Sequence, residues 1–588
     1  MMPPERVDRK LQLAVLLLAL PAGVQLGAMA SLRLFGQLQG SVVLGGALLV
    51  WLAVAVLQRA SFGHGRETAF VWLTASGVVV ACMLLTHALD DFSHDGQQYH
   101  QQAIVALIEG WNPLGQAEYE GAHALWVNSY TKGIWLFSAA MFAMTGSLEL
   151  GKSFNLLVAV GAWLLCAQLF QRALGLSRTA SWVLATAFAF SPILGSQWPT
   201  FYNDSVVGSL LLVMGVAALL LLRDPNAHRL ALVIWALAIF LIATVKSSGM
   251  AYAGLVIIAF VAGAWVLARR RVALQLGGAA ALAGLLVLMT VGYNPYVTNT
   301  LRHGHPLYPL RGSNADIITG TASADFLARS RIEQLLLSTF SRSQSTVASD
   351  QQSADDQIRL KAPGAVYRSE LELFMSRTDA RIGGFGPWFS LGLVLSAMCV
   401  VMTLVLGRLT RREILGLLAL PSLLLALTLA FPEPWWARYV PQLWFLPLSI
   451  AAAALVLRGA NLWISLSAWV VVAVLLVNTM TVTSLFAMRT VAKQLDFSTQ
   501  VASLRAISTG AGPLPIAVGF TPSTIHRLRE LGVATTPAPP AFNCPTNRAV
   551  LYTGAVVCLP PEQMRAYAED SPWVLKVKSA LRRGTSSD

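Results

Sequence analysis

Long apolar runs recur along most of this 588-residue chain, and they constrain its fold more than any other feature. A helix needs about 20 mainly apolar residues to cross the hydrocarbon core of a bilayer. The composition agrees, because only 12% of the residues are charged, against about 25% in soluble domains. The sequence therefore predicts an all-α polytopic membrane protein. The runs lie at 11–30, 41–58, 67–87, 132–148, 154–171, 178–193, 205–222, 230–245, 250–267, 272–293, 385–407, 413–431, 438–457 and 461–484.

Basic residues are concentrated in short segments between these runs, at 59–66, 172–178, 223–229, 269–271 and 408–412. Cytoplasmic loops of membrane proteins carry an excess of Lys and Arg. We therefore expect a multi-pass protein of the inner (cytoplasmic) membrane with a cytoplasmic N-terminus. The same distribution accounts for the net charge of +13 without a nucleic-acid partner.

This orientation places three longer segments on the extracytoplasmic side: the loops 88–131 and 294–384, and the tail from 485. An even number of spans must separate two external segments, but three apolar runs lie between the first external loop and the next external segment. Run 132–148 is therefore interpreted as a run that does not cross. We interpret it as re-entrant or lying along the membrane, and expect about 13 spans.

The tail 485–588 has the pattern of a small extracytoplasmic α/β domain that follows a transmembrane domain over 1–484. The spacing predicts strands at 514–520, 550–552 and 556–559 and a helix at 523–531. Cys544 and Cys558 lie in this tail, where an oxidising compartment would allow a disulfide.

An acidic segment follows the third apolar run and carries Asp90, Asp91, His94, Asp95 and His100 within eleven residues. A carboxylate fixed at the membrane surface can accept a proton from a hydroxyl, and neighbouring negative charges raise its pKa. The alternative interpretation is a group of solvated loop charges. The residues that follow, 96–109, have helical spacing with an apolar side, which is typical of a helix at the membrane surface.

Other short motifs follow in order along the chain. They include Tyr99-His100 after Asp95, Asn203-Asp204, Thr244-Val245-Lys246, a Gly-His-Pro-Leu-Tyr-Pro stretch at 304–309, and Ala437-Arg438-Tyr439. Together they resemble the GT-C superfamily of membrane glycosyltransferases, and within it the bacterial family 39, whose members take a sugar from a polyprenyl-phosphate carrier. This chain has two extra N-terminal spans before the acidic loop, whereas many members have one.

The resemblance implies a role for each motif. Asp91 is the first choice for the general base and Asp95 the second, while Asp90 is a supporting charge. Lys246, Arg438 and Arg302 are expected at the donor phosphate. The expected substrate-binding residues are His94, Tyr99, His100, Asp204, His303, His305 and Tyr439.

Simpler interpretations remain open at three of these positions. Lys246 at a span end is also consistent with snorkelling to the interface, and Arg438 with an ion pair to Glu433. Arg302, His303 and His305 also fit a solvated loop.

The expected partners are a polyprenyl-phosphate-linked sugar, a glycan or glycolipid acceptor of the cell envelope, and membrane lipid. A divalent metal bound by Asp91, His94 and Asp95 is chemically reasonable, and the cofactor stays unassigned. Two other functions fit the layout. One is an O-antigen polymerase or ligase that uses a lipid diphosphate, and the other is a flippase or transporter of a lipid-linked glycan.

Overall fold

The computed structural model describes residues 9–62, 65–115, 117–224, 227–311, 322–345, 358–539, 543–568, 571, 572 and 574. Within them, twelve helices are long and apolar enough to cross a membrane, which confirms the predicted all-α polytopic architecture. These helices are α1 (Arg9–Phe35), α2 (Gly40–Phe62), α3 (Gly65–His87), α7 (Ser153–Gln168, extended by short turns at both ends), α10 (Asp204–Arg223), α11 (His228–Val245), α12 (Ser247–Val266), α13 (Arg270–Met289), α18 (Phe389–Leu406), α19 (Arg411–Ala430), α20 (Phe445–Arg458, preceded by a 3₁₀ turn) and α21 (Leu462–Ala511).

Shorter helices fill the segments between them. They are α4 (Gln101–Ile108), α5 (Ala124–Ser129), α6 (Gly133–Thr145), α8 (Arg178–Ala189), α9 (Pro192–Gln197), α14 (Thr298–His303), α15 (Ala324–Leu327), α16 (Arg331–Thr339), α17 (Arg368–Ser376) and α22 (Thr524–Glu530).

Two of the predicted apolar runs do not form a single helix long enough to cross a membrane. Helix α6 has 13 residues, about 20 Å of helix, and is too short to cross, in keeping with the interpretation of run 132–148. Run 178–193 was predicted as one span, but Pro192 forces Ser191 into an extended conformation, so the run divides into α8 and α9. The other twelve expected spans correspond to the twelve long helices of the described residues, so the expectation of about 13 spans differs from the structure only in the division of run 178–193.

Several loops that are far apart in sequence meet at one end of the bundle. The Asp91 carboxylate accepts a hydrogen bond from the Phe201 amide at 2.8 Å, and Arg438 contacts Asp95 at 3.0 Å. The Thr131 hydroxyl donates to the carbonyl of Val245, the last residue of α11. The loops predicted to lie on the extracytoplasmic side are therefore on a common side.

The last long helix, α21, has 50 residues, more than twice the length that a span requires. It passes without a break through the predicted domain boundary at 484/485 and ends in the tail. That boundary is therefore not visible in the backbone, because the outer half of α21 belongs to the core of the tail. Its apolar residues Phe497, Val501 and Leu504 pack against the small sheet.

The tail contains four short strands, β1 (Leu514–Ala517), β2 (Thr535–Pro537), β3 (Asn547–Ala549) and β4 (Val556–Cys558), in the order β2-β1-β4-β3. Strand β1 pairs in parallel with β2, and the other pairs are antiparallel. The prediction of a strand at 550–552 was wrong: these residues form the turn after β3, with Tyr552 at φ +60°. A disulfide joins Cys544 to Cys558, as the sequence suggested for an oxidising compartment.

Candidate active site

Arg438 is the centre of an ion cluster at the end of the bundle where the long loops meet. Its Nη1 atom lies 3.0 Å from Asp95 Oδ2, and its Nε atom lies 3.4 Å from Asp379 Oδ2. Asp379 also accepts hydrogen bonds from the Trp436 indole at 3.0 and 3.1 Å. One guanidinium is thus held between two carboxylates that come from different loops.

A second ion pair, Lys246 with Asp204, lies at the ends of three spans. The Lys246 Nζ atom donates to Asp204 Oδ1. The side-chain amide of Gln197 donates to Asp204 Oδ2 at 3.2 Å. Asp204 is the first residue of α10, where a carboxylate is stabilised by the helix dipole. The ammonium also lies 4.9 Å from the centre of the Tyr439 ring, and Tyr439 joins this pair to the Arg438 cluster by accepting from Arg438 Nη2 at 3.1 Å.

Aromatic rings enclose the guanidinium of Arg438. The ring centres of Tyr202, Trp436 and Tyr439 lie 5.2, 4.5 and 4.9 Å from its Cζ atom. Such rings stabilise a cation by its attraction to the ring face and keep water from most of its surface. The side chains of Asp95 and Asp379 nevertheless remain 20% and 21% exposed, so both carboxylates are accessible to a small molecule.

The environments of the two carboxylates shift their pKa values in opposite directions. Burial disfavours the ionised form of both, but the charge of Arg438 outweighs burial at Asp95 and holds its pKa well below the ordinary value. At Asp379 burial prevails over Arg438, and the pKa is raised. Acid and base roles are commonly divided between carboxyl groups whose pKa values differ in this way.

Asp91, the first choice for a general base, is fully buried and lies outside this cluster. Its carboxylate accepts from the amides of Ser93 at 2.7 Å and Phe201 at 2.8 Å, and it is packed so closely against Gly96 that no side chain fits there. These contacts fix the turn that leads to Asp95 and the segment that leads to Tyr202. The geometry therefore favours Asp95 over Asp91 at the reaction centre.

Asp90 belongs to a different network. Arg527 of the tail lies 3.1 Å from Asp90 and 3.5 Å from Glu149. Gln494 of α21 donates to the second Asp90 oxygen at 2.7 Å. This agrees with the expectation that Asp90 is a supporting charge.

The other candidates from the acidic segment lie around Asp95. The His94 ring is largely exposed, with Nδ1 3.3 Å from Asp95 Oδ1. His100 is buried and accepts a hydrogen bond at Nδ1 from the indole of Trp135 at 2.8 Å. Burial lowers the pKa of His100 to about 3, so the ring is neutral. Tyr99 packs on His100 and on Tyr130, with ring centres 4.3 and 5.8 Å away.

The contacts described for Arg302, His303 and His305 are with other groups. Arg302 contacts Glu118 at 2.8 Å, His303 stacks on Tyr308 with ring centres 3.9 Å apart, and His305 accepts from the Leu307 amide. These contacts order the start of the second long loop, and they favour the interpretation of a structured loop over a phosphate site.

Sequence reasoning missed Asp379 and Tyr202. Asp379 lies in a polar loop without a recognisable motif, and its only sequence signal is its position a few residues before a predicted span. Tyr202 is adjacent to the Asn203-Asp204 motif but was not singled out. As for a metal, the described residues contain no group of three His, Cys, Asp or Glu side chains that could hold an ion.

Comparisons with known proteins give one structural relative. No family model matches the sequence, and no curated protein matches it. Among solved structures the chain is similar to ArnT from Cupriavidus metallidurans, crystallised with undecaprenyl phosphate. The match covers 81% of this chain and 87% of that chain, at 15% identity and a TM-score of 0.33. Residue roles in this chain are therefore drawn from its own contacts.

Proposed function

We propose that this protein is a glycosyltransferase of the membrane, which moves a sugar from a polyprenyl-phosphate donor to a hydroxyl of an envelope glycan or glycolipid. The observation that supports it best is the Arg438 cluster, where two accessible carboxylates and two cations meet at the ends of the spans. This combination provides a proton acceptor and a counter-charge for a phosphate leaving group within one site.

In the proposed reaction, the acceptor oxygen attacks the anomeric carbon as the bond from that carbon to the phosphate oxygen breaks. The hydroxyl proton passes to Asp95, and the electron pair of the broken bond leaves with the polyprenyl phosphate. Arg438 and Lys246 neutralise the departing phosphate. A single displacement of this kind inverts the anomeric configuration.

The pairing of Arg438 with Asp95 suggests how donor binding activates the base. The charge of Arg438 keeps the pKa of Asp95 low in this structure, which makes Asp95 a weak base. A donor phosphate that engages Arg438 draws the guanidinium away from Asp95. The pKa of Asp95 then rises toward its ordinary value, so the carboxylate gains basicity once the donor is present. Asp91 acts as a positioning residue for this loop.

A lipid-facing groove of about 700 Å³ offers a place for the polyprenyl chain. It runs between α7, α8, α9 and α21 and is mainly apolar. Its lining includes Trp182, Leu194, Trp198, Met480 and Thr483. Trp198 lies close in sequence to Phe201 and Tyr202, so a chain in the groove would bring its headgroup toward the ion cluster.

The extracytoplasmic placement of the site is supported by two features. The basic loops lie between the other ends of the helices, as at Arg458, which pairs with Glu413 at 2.9 Å. The tail on the side of the site carries the Cys544–Cys558 disulfide, and disulfides persist mainly in oxidising compartments.

The test uses the purified full chain in liposomes with a labelled polyprenyl-phosphate sugar and an envelope lipid extract as acceptor. We expect sugar transfer with release of polyprenyl phosphate, and a fall of about 10²–10⁴-fold in Asp95→Asn. Asp91→Asn serves as a comparison and should lose stability rather than the chemical step. Undiminished transfer by Asp95→Asn would contradict the assignment of Asp95 as the base. Consumption of a lipid-diphosphate glycan instead would identify a polymerase or ligase.

A further inference from the structure

A second group of cations lies beside the Arg438 cluster and differs from it in having no ion pair with a residue that the structure describes. Arg489 and Lys493 are one helical turn apart on α21, and Arg377 precedes Thr378 at the start of the loop that carries Asp379. Arg489 donates to the Thr378 hydroxyl at 3.1 Å, which ties the helix to this loop. Arg377 is close enough to act electrostatically on both α21 cations.

Within the part of the chain that the structure describes, no carboxylate lies within 4 Å of any of these three cations. Asp91 acts electrostatically on Arg489 and Lys493, but its oxygens already accept from two backbone amides. The Nε atom of Arg489 is buried without a hydrogen-bond partner. Buried donors are nearly always satisfied, so a partner is to be expected from outside the chain.

The position of these cations relates them to the reaction centre. Arg489 donates to Thr378, the residue before Asp379, and Asp379 lies 3.4 Å from Arg438, so the group adjoins the Arg438 cluster. Lys493 lies 4.7 Å from the ring centre of Tyr552, so the tail domain forms the outer boundary of the group. The cations therefore lie at the junction of α21, the Thr378 loop and the tail.

We infer that Arg377, Arg489 and Lys493 form an anion subsite that binds a phosphate-type group of the acceptor. The inference rests on the proposed function. The donor phosphate is assigned to Arg438 and Lys246 at the span ends, which leaves the outer cations for the second substrate. Arg is well suited to phosphate because its planar guanidinium donates two parallel hydrogen bonds. An acceptor anchored here would present a hydroxyl toward Asp95, so the acceptor is an anionic glycan or glycolipid.

The experiment measures anion binding without turnover, so that it is independent of whether sugar transfer is observed. The full chain is placed in nanodiscs of zwitterionic phosphatidylcholine and loaded with polyprenyl phosphate to fill the donor site. Inorganic pyrophosphate is then titrated, and its binding is followed by phosphorus NMR line broadening. We expect the wild type to bind pyrophosphate and the double variant Arg489→Gln, Lys493→Gln to bind it at least about tenfold more weakly.

Two variants control for charge and for folding. Arg548→Gln removes one positive charge from β3 in the tail, away from the subsite, and should bind as the wild type does. Arg489→Lys keeps the charge and should retain most of the binding. Equal pyrophosphate binding by the wild type and the double variant would overturn the inference. A matching loss of polyprenyl-phosphate binding in the double variant would also overturn it, because the subsite would then belong to the donor.

Discussion

Two ion networks flank the acidic segment and are built from the same residue types, yet they differ in accessibility. In the Arg527 network, the guanidinium and its partners Asp90 and Glu149 are 2–10% exposed. In the Arg438 network, the guanidinium and its partners Asp95 and Asp379 are 10–21% exposed. Asp90 and Asp95 are only five residues apart, so position in the fold, rather than local sequence, separates a closely buried charge from a partly exposed one.

The Arg527 network has the features of a contact that docks the tail on the helix bundle. Arg527 comes from α22 of the tail, and the same helix places His526 3.0 Å from Glu109, while Ser523 donates to Gln101 at 2.6 Å. The segment that carries Asp95 is thus held by the tail on one side and by the bundle on the other. The tail therefore helps to fix the position of this segment.

The largest effect is expected from Arg527→Gln. Removing the guanidinium leaves the buried Asp90 without its ion pair, which costs about 3–5 kcal/mol of stability. Glu149 keeps its ion pair with Lys152 at 2.6 Å. Hydrogen exchange should show the tail released from 90–109, and thermal unfolding should move to lower temperature. Arg529→Gln, an exposed position of the same helix, is the matched control. Similar unfolding of the two variants would show that the buried network does not hold the tail.

The next largest effect is expected from Arg438→Gln, which tests the Arg438 network. Loss of the cation should lower kcat by about 10²–10³-fold, because the leaving phosphate is no longer stabilised. The loss of stability should be smaller than in Arg527→Gln, since Asp95 and Asp379 are partly accessible to water. If Arg438→Gln unfolded as readily as Arg527→Gln and kept its turnover, the contrast between the networks would be wrong.

A smaller effect is expected from Lys246→Gln, which separates phosphate binding from snorkelling. Binding of polyprenyl phosphate should weaken about tenfold, or about 1.4 kcal/mol. The control is Arg302→Gln, because Arg302 contacts Glu118 and is expected to leave donor binding unchanged. An unchanged affinity in Lys246→Gln would support the snorkelling interpretation.

A further prediction concerns the pH dependence of stability at His100. Its pKa is about 3 in the folded protein and about 6.5 when unfolded, so the unfolded state takes up a proton as pH falls from 6.5 to 3. His100 therefore costs stability as pH falls through this range, by up to about 1.4 kcal/mol per unit.

The measurement compares the melting temperatures of the wild type and His100→Gln at pH 7.5 and pH 4.5. At pH 7.5 the variant should be less stable, because it loses the hydrogen bond from Trp135. At pH 4.5 the difference should narrow or reverse. A difference that is the same at both pH values would contradict a neutral buried His100.

Much of the architecture could be predicted from the sequence, because lipid imposes it locally. Apolar length alone predicts the spans, and the distribution of Lys and Arg predicts which loops lie together. Short motifs also pointed to Asp95, Lys246 and Arg438, which the structure places in ion pairs at one end of the bundle. Pro192 could have predicted the division of run 178–193, but the continuous apolar character of the run favoured a single span.

What the sequence could not provide is the pairing of charges across the fold. Asp90, Asp91 and Asp95 have the same chemistry and nearly the same neighbours in sequence. Their different roles follow from Arg527, the Phe201 amide and Arg438, partners that are 110 to more than 400 residues away. The sequence by itself determined a polytopic helical protein with an acidic segment beside the membrane. Only the tertiary structure decided which acid is buried and which is accessible, because burial and counter-charge depend on distant partners that the fold brings together.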